Sequence, residues 1–280
     1  MTSPSPPNGL QLSAHIGYLF QHLPLEARFA AAREAGFRAV EIADPYALSP
    51  SRFQSLCEQN ELEVAQIAVP NGVAGASKKG LAALPGRECE FCDALKLSIE
   101  FATAVNCSLI HPMAGIRAPL EPSPDWKVYL SNLEKACFAA ADAGLRIIIE
   151  VISADATRNY FLNSFAQACA AIEQLDAPNL LLSIDTYHAA AIGVQIPSFI
   201  VNNSSKIGHV QVADWPDRNE PGSGQIAFNP IFGALKLGGY KGYVGLEYLP
   251  SSDHAATFDW ARLFETYLEP LRATSISSRS

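Results

Sequence analysis

The chain has 280 residues, 49% of them hydrophobic and 17% charged, which is enough to bury the core of one large domain. Its formal net charge of −8 disfavours nucleic acid and anionic membrane surfaces as partners, because such binding relies on positive charge. No apolar run approaches the roughly 20 residues needed to cross a bilayer. We therefore expect no nucleic-acid partner and no membrane partner.

The two ends of the chain differ in composition from the rest. Residues 1–9 are rich in Pro and Ser and lack the basic and apolar regions of a secretory signal, which predicts a disordered leader. Residues 273–280 are similarly polar and predict a disordered tail, leaving residues 10–272 as a single domain. The 6 Cys lie mostly in apolar helical patterns, as buried free thiols do, and this predicts a reducing, cytoplasmic location.

Between these ends, apolar strand-like runs alternate with amphipathic helical patterns, which predicts successive βα units and a parallel sheet. The predicted strands are Leu12–Gly17, Arg38–Ala43, Leu62–Val69, Cys107–His111, Leu145–Val151, Leu180–Asp185, Lys206–Val212 and Tyr243–Tyr248. The predicted helices are Pro24–Ala35, Pro50–Asn60, Arg87–Val105, Pro124–Ala143, Ser164–Leu175, Pro197–Asn202, Pro230–Leu237 and Thr257–Leu271. Eight such units predict a (β/α)8 TIM barrel, whose active site lies at the carboxyl ends of the strands.

Four of the later strands bring an oxygen donor to this end of the barrel. The donors are Glu150, Asp185, Gln211 and Glu247. Any one of the acids could simply cap the next helix, but the set as a whole would otherwise leave several buried charges without partners. Hard oxygen ligands suit Mg²⁺ or Mn²⁺ best, with Co²⁺ or Zn²⁺ as weaker candidates. The sequence therefore predicts a site for one divalent metal ion with room for a substrate.

Several segments also carry a resemblance to a known family. They are Arg28-Phe29, Gly36–Glu41, Ile149-Glu150, Asp185–His188, His209–Ala213, Pro216–Pro221 and Gly238–Tyr248. In this order, over Leu12 to Trp260, they resemble the hydroxypyruvate isomerase family of the xylose isomerase-like, or family-2 AP-endonuclease-like, TIM barrels. The resemblance implies that the four donors ligate one divalent metal and that Glu150 and Glu247 are also the catalytic acid/base pair.

The implied reaction is the isomerisation of a short 2-keto-3-hydroxy acid, with hydroxypyruvate to tartronate semialdehyde, through an enediolate, as the best match. His188 and Arg218 resemble residues that hold substrate oxygens in this superfamily, and a guanidinium group suits a substrate carboxylate. The further residues that we expect to line the pocket are Tyr46, Asn71, His111, Tyr160 and Trp215. The expected partner is therefore a small hydroxy-keto acid or sugar, and the family tendency to associate allows a homo-oligomer.

Other activities within the superfamily remain open at this point. In the related ketose 3-epimerases the corresponding strand end resembles His-x-His, whereas this chain has His209-Val210-Gln211. This difference favours an isomerase over an epimerase. The zinc-dependent DNA endonucleases use additional His ligands that are missing near Asn71 and at Gln211, so a DNA-repair role is disfavoured. Isomerases of 2-oxo-tetronates, other epimerases and dehydratases remain alternatives. A sugar-binding barrel without activity is disfavoured because binding alone needs no paired proton carriers. His209 is either a partner that orients the site or a core histidine.

Overall fold

The computed structural model describes residues 9–118, 121, 123–251 and 255–271, and of residues 255–257 only the backbone. Apart from Gly9, the predicted leader of residues 1–9 and tail of residues 273–280 lie outside the described residues. No helix among the described residues is both long and apolar enough to cross a membrane.

Eight parallel strands close into a barrel in chain order, which confirms the predicted TIM-barrel fold. The strands are β1 Gln11–His15, β2 Ala39–Ile42, β3 Glu63–Ala68, β4 Leu109–His111, β5 Arg146–Glu150, β6 Leu180–Asp185, β7 Ile207–Val212 and β8 Tyr243–Leu246. Each begins and ends within a few residues of its predicted bounds, because the apolar runs that identify the strands are buried on both faces.

The α-helices cover the outside of the barrel. They are α1 Ala27–Glu34, α2 Pro50–Gln59, α3 Glu88–Ala104, α4 Trp126–Asp142, α5 Phe165–Leu175, α6 Thr186–Ile192, α7 Ile196–Asn202 and α8 Phe228–Leu237. Short 3-10 helices are Gly75–Lys79, Ser204–Lys206 and Ala255–Phe264. The side chains of Ser49, Asp125 and Ser164 accept hydrogen bonds from the first-turn backbone N–H groups of α2, α4 and α5, so polar residues fix these starts.

Helix α6 was missed by the sequence prediction, which placed a single helix at Pro197–Asn202 after the sixth strand. The structure starts a helix directly at the strand end, because Asp185 accepts a hydrogen bond from the backbone N–H of Tyr187 at 2.8 Å. The alanine-rich run that follows favours helix. The early start places His188 in the first turn of α6, directly above Asp185.

The predicted final helix, Thr257–Leu271, is also wrong in type and extent. The described backbone forms a 3-10 helix over Ala255–Phe264 and then pairs with the start of the first strand. Leu10 donates its N–H to Tyr267 and accepts from Glu269, at 2.7 and 2.9 Å. These two bonds use backbone groups that a continued α-helix would need for itself.

The cysteines only partly follow the prediction of buried thiols. All six are free; Cys57, Cys107 and Cys137 are buried, whereas Cys89 and Cys92 are exposed on α3. Cytoplasmic location stays a prediction.

The strand register brings chemically important residues side by side. Asp185 of β6 pairs with Gln211 of β7, which pairs with Gly245 of β8. Strand β8 also pairs with β1, and His15 of β1 pairs with Glu41 of β2. Paired residues in adjacent parallel strands point to the same face of the sheet. The register therefore collects these side chains at one end of the barrel interior.

Candidate active site

A cavity of about 410 Å³ opens at the carboxyl ends of the strands. Its lining includes seven residues predicted from the sequence to bind metal or substrate: Asn71, His111, Glu150, His188, Gln211, Arg218 and Glu247. A larger depression of about 680 Å³ lies at the amino ends of the strands and is lined by none of the predicted metal donors. The chemistry therefore concentrates at the carboxyl end, as the fold predicts.

Three carboxylates meet beneath this cavity, and we call Glu150, Asp185 and Glu247 the carboxylate cluster. Glu150 and Asp185 are the last residues of β5 and β6, and Glu247 directly follows β8. Glu150 and Asp185 are 7% and 1% exposed. Oxygens of both lie close enough to Nε2 of His188 for these three side chains to hold one metal ion, whereas Glu247 groups in the same way with His15 and Glu41.

Arg218 bridges Asp185 and Glu247 of the carboxylate cluster. Its Nη2 atom donates to Oδ2 of Asp185 and to Oε1 of Glu247, both at 2.9 Å. The guanidinium carbon lies 4.9 Å from the ring centre of Tyr18 and 5.1 Å from that of Tyr187, so the group is held between two aromatic faces. Burial alone would lower the pKa of Arg218, but Glu247 and Asp185 raise it, so the side chain stays charged.

The loop that carries Arg218 is organised by one buried carboxylate, Asp214. Its two oxygens accept four backbone N–H groups at 2.8–2.9 Å, those of Trp215, Gly222, Gly224 and Ile226. Arg218 itself has a φ of +57°, in the left-handed region that is uncommon for residues other than Gly. Such strain is tolerated where surrounding contacts fix the backbone, and it is common at functional sites.

Glu150 has more negative than positive charge around it. Burial, Glu247 and Asp185 raise its pKa well above the ordinary value, and only Arg218 opposes them substantially. Nδ1 of His111 lies 3.6 Å from Glu150 and Nε2 of His188 lies 3.8 Å from it. Burial lowers the pKa of each of these histidines to about 4, so both are neutral at physiological pH.

Glu247 shares this electrostatic environment. Burial raises its pKa, although Arg218 and His15 lower it in part. A bound cation would relieve the excess negative charge on the cluster.

Another buried carboxylate, Glu41, lies inside the barrel next to the carboxylate cluster. Its Oε1 accepts from Nε2 of Gln211 at 2.7 Å, and its Oε2 accepts from Oγ of Ser13 at 2.8 Å. Nε2 of His209 lies 2.9 Å from Oε2, a close electrostatic contact whose angle is outside hydrogen-bond geometry. We call Glu41, Ser13, His209 and Gln211 the Glu41 network. His209 therefore contacts a carboxylate that orients a site residue.

Gly245 makes room for the Glu41 carboxylate. A Cβ atom built at this position would lie 2.6 Å from Cδ of Glu41 and closer still to both of its oxygens. The network is thus possible only because β8 has no side chain at this point.

Of the residues predicted to bind substrate or line the pocket, some line the cavity and others do not. Asn71, His111, His188 and Arg218 line the cavity, as expected for substrate contacts. Tyr160 does not line it; its hydroxyl accepts from the backbone N–H of Ala114 at 2.9 Å and its ring is buried. The cavity is also not lined by Tyr46 or Trp215; Tyr46 donates to the carbonyl of Ala68 instead. Loop side chains are hard to place because their direction depends on the loop backbone.

The site residues predicted from the sequence did not include His15, Tyr18, Glu41 or Lys79. Glu41 follows the same rule as the other donors, since it lies near the end of β2, and could have been found in that way. Lys79 lies in a Gly-rich loop, and no sequence pattern indicates that it reaches the cavity.

The chain is similar in sequence to a known protein family and to proteins named as isomerases. The family described as xylose isomerase-like TIM barrel matches residues 29–266. A putative hydroxypyruvate isomerase of Mus musculus is 36% identical over 264 residues, covering 91% of this chain and 95% of the relative. A 2-oxo-tetronate isomerase of Cupriavidus necator is 32% identical over 253 residues, covering 90% of this chain and 97% of the relative.

Solved structures agree on the fold. A protein described as AP endonuclease, family 2, from Brucella melitensis superposes with a TM-score of 0.87 and 28% identity, covering 91% of this chain and 99% of the other. These findings confirm the resemblance seen in the sequence. The chain belongs to the xylose isomerase-like TIM-barrel family and is an isomerase of that family.

Proposed function

We propose that this isomerase depends on a divalent metal ion and interconverts hydroxypyruvate and tartronate semialdehyde through an enediolate. The observation that carries the proposal is the carboxylate cluster, in which three strand ends bring acids together under one small cavity. The two relatives named above act on short keto acids according to their names.

The residues of the site fit a hard divalent cation. Glu150, Asp185, Gln211 and Glu247 would hold Mg²⁺ or Mn²⁺ through oxygen atoms. Because Nε2 of Gln211 donates to Glu41, its Oε1 is left available for a cation. The bound ion would supply Lewis-acid stabilisation of the enediolate oxygens.

The reaction moves one proton from C3 of hydroxypyruvate to C2, while the hydroxyl proton on O3 is exchanged for one on O2. Glu150 and Glu247 come from β5 and from the end of β8, and we assign them as the acid/base pair. A raised pKa suits this role, because proton transfer is most efficient when the pKa of the carboxyl group approaches the working pH. His188, His111, Asn71 and Arg218 are proposed to contact substrate oxygens, whereas Tyr160 supports the loop at Ala114.

The proposal is tested by NMR in D₂O with protein that is first stripped of metal by a chelator and then given Mg²⁺ or Mn²⁺. We expect hydroxypyruvate to convert to tartronate semialdehyde only after metal is restored. Equal conversion with and without metal would overturn the metal dependence. No conversion at all would overturn the substrate assignment.

A 2-oxo-tetronate is the second candidate substrate, favoured by the name of the Cupriavidus necator relative. It has one carbon more than hydroxypyruvate and the same reacting carbons. The same assay with both substrates ranks them by kcat/KM, and the preferred substrate fixes the chain length that the cavity accepts.

A further inference from the structure

The positive charges around the cavity are few. Among the described residues that line it, the side chains of Lys79 and Arg218 are the two that carry a permanent positive charge, against Asp44, Glu150 and Glu247. A substrate that carries its own carboxylate would meet a mainly negative lining. It therefore needs a cation that is not already committed to the protein.

Arg218 is committed to the protein. Its Nη2 donates to Asp185 and Glu247, its Nε donates to the backbone carbonyl of Glu247 at 3.4 Å, and two aromatic rings enclose it. Its guanidinium group neutralises the carboxylate cluster. The contacts thus favour another residue for the substrate carboxylate.

Lys79 is a cation at the cavity that is not committed to another group among the described residues. It ends the 3-10 helix Gly75–Lys79 after β3, and its side chain makes no hydrogen bond or ion pair with any residue in the described part of the chain. Lys79 lines the same cavity as Glu150, His188 and Glu247.

The backbone around Lys79 is fixed by the loop after β4. The carbonyl of Lys79 accepts from the N–H of Gly115 at 2.8 Å, and the carbonyl of Ala76 accepts from the N–H of Ile116 at 3.0 Å. Gly80, with a φ of +109°, packs directly against the carbonyl of Met113, where a side chain would collide. The ammonium group is therefore carried on a backbone that is tied to the barrel.

We propose that Lys79 binds the carboxylate of the substrate and so selects keto acids over neutral ketoses. The inference rests on the proposed function and adds the subsite that recognises the acid group. A compact ammonium group on a flexible stem pairs with a carboxylate without the fixed fork geometry that Arg requires.

The test compares Lys79→Met with Lys78→Met, a matched control whose residue is adjacent and does not line the cavity. Two substrate pairs are used: hydroxypyruvate with tartronate semialdehyde, and dihydroxyacetone with glyceraldehyde, in which a neutral CH₂OH group replaces the carboxylate. We expect Lys79→Met to raise KM for hydroxypyruvate about 10- to 100-fold, the loss of one charged contact, without changing kcat/KM for dihydroxyacetone. Lys79→Arg should recover most of the loss, and Lys78→Met should match the parent protein.

Binding provides a readout that does not need turnover. L-glycerate, a carboxylate, and glycerol, its neutral counterpart, are titrated by calorimetry into the Mg²⁺-loaded proteins. We expect Lys79→Met to lose L-glycerate affinity while Lys78→Met retains it. Equal L-glycerate binding by the two variants, or no L-glycerate binding by the parent protein, would overturn the inference. If L-glycerate binds through Lys79 but hydroxypyruvate is not isomerised, the subsite stands and the substrate assignment fails.

Discussion

The carboxylate cluster and the Glu41 network lie next to each other, yet the pKa values of their buried glutamates are shifted in opposite directions. Glu41 is fully buried and its pKa is lowered, because His209, His15 and Gln211 outweigh the effect of burial. Glu150 is 7% exposed and its pKa is raised, because burial and two further carboxylates, Glu247 and Asp185, act in the same direction. The difference shows that the groups around a carboxylate, rather than its burial, decide which protonation state is stable. Glu41 is thus held ionised, whereas cation binding and proton transfer are the roles proposed for the carboxylate cluster.

The strongest way to separate the two groups is Glu247→Gln in the carboxylate cluster. The shape of the side chain is retained but proton transfer is lost, so we expect kcat to fall about 10²- to 10⁴-fold. Mn²⁺ binding, measured by electron paramagnetic resonance, should weaken but remain measurable. The surface variant Glu265→Gln serves as control, and unchanged turnover in Glu247→Gln would remove Glu247 from the acid/base pair.

Gly245→Ala acts on the Glu41 network from the neighbouring strand. The added methyl group would collide with the Glu41 carboxylate, and overpacking of this kind costs about 1–3 kcal/mol of unfolding free energy. We also expect Mn²⁺ affinity to fall, because Gln211 loses its fixed partner.

The control for this variant is Gly233→Ala on α8, where the added Cβ would lie 3.6 Å from the ring of Tyr267, an ordinary contact. Denaturant unfolding should show loss of stability in Gly245→Ala and none in Gly233→Ala. Equal stability of the two variants would contradict the close packing of Gly245 and Glu41.

Glu41→Gln tests the Glu41 network without a steric change. Gln211 and Ser13 donate to different oxygens of Glu41, and glutamine has an NH₂ group in place of one of them, so one of the two hydrogen bonds is lost. We expect Mn²⁺ affinity to fall about 10- to 100-fold, the range typical of partners that orient metal ligands. Glu63→Gln, at an exposed carboxylate that accepts from Tyr243, should leave affinity unchanged. A Glu41→Gln protein with the parent affinity would show that the network is structural only.

The smallest expected effect is a pH dependence of stability in the metal-free protein. Because the pKa of Glu150 is raised in the folded state, its favourable contribution is present below the unfolded pKa, ordinarily 4.5, and is lost as the pH rises through the folded value. Glu150→Gln cannot ionise, so it should match the parent protein near pH 4 and become more stable than it at pH 8, by about 1–2 kcal/mol.

Thermal unfolding at several pH values measures this difference. Saturating Mg²⁺ should reverse the order at pH 8, because only the parent protein retains the full set of ligands. A constant difference at all pH values would contradict the raised pKa of Glu150.

Much of this molecule was predictable from local patterns in the sequence. Apolar runs of strand length, each followed by a helical pattern, identify the eight βα units, because period and burial are local properties of the chain. The rule that strand ends meet at one end of a barrel then selects Glu150, Asp185, Gln211 and Glu247 without any spacing motif. The sequence allowed a capping role for Asp185, as for any of these acids, but the helix that Asp185 caps was missed because it starts directly at the strand end.

Only the tertiary structure decided how these side chains are used. The pairing of Arg218 with Asp185 and Glu247 depends on a loop with a left-handed residue, held by Asp214, which no periodic pattern predicts. One hydrogen bond of the Glu41 network joins residues 170 positions apart, through a space that exists because β8 has Gly245 at that point. Tyr160 was predicted to line the cavity, but its hydroxyl instead accepts from the backbone N–H of Ala114 and so supports a loop. The sequence determined which donors reach this end of the barrel, whereas side-chain direction and charge pairing depend on contacts between residues distant in the chain.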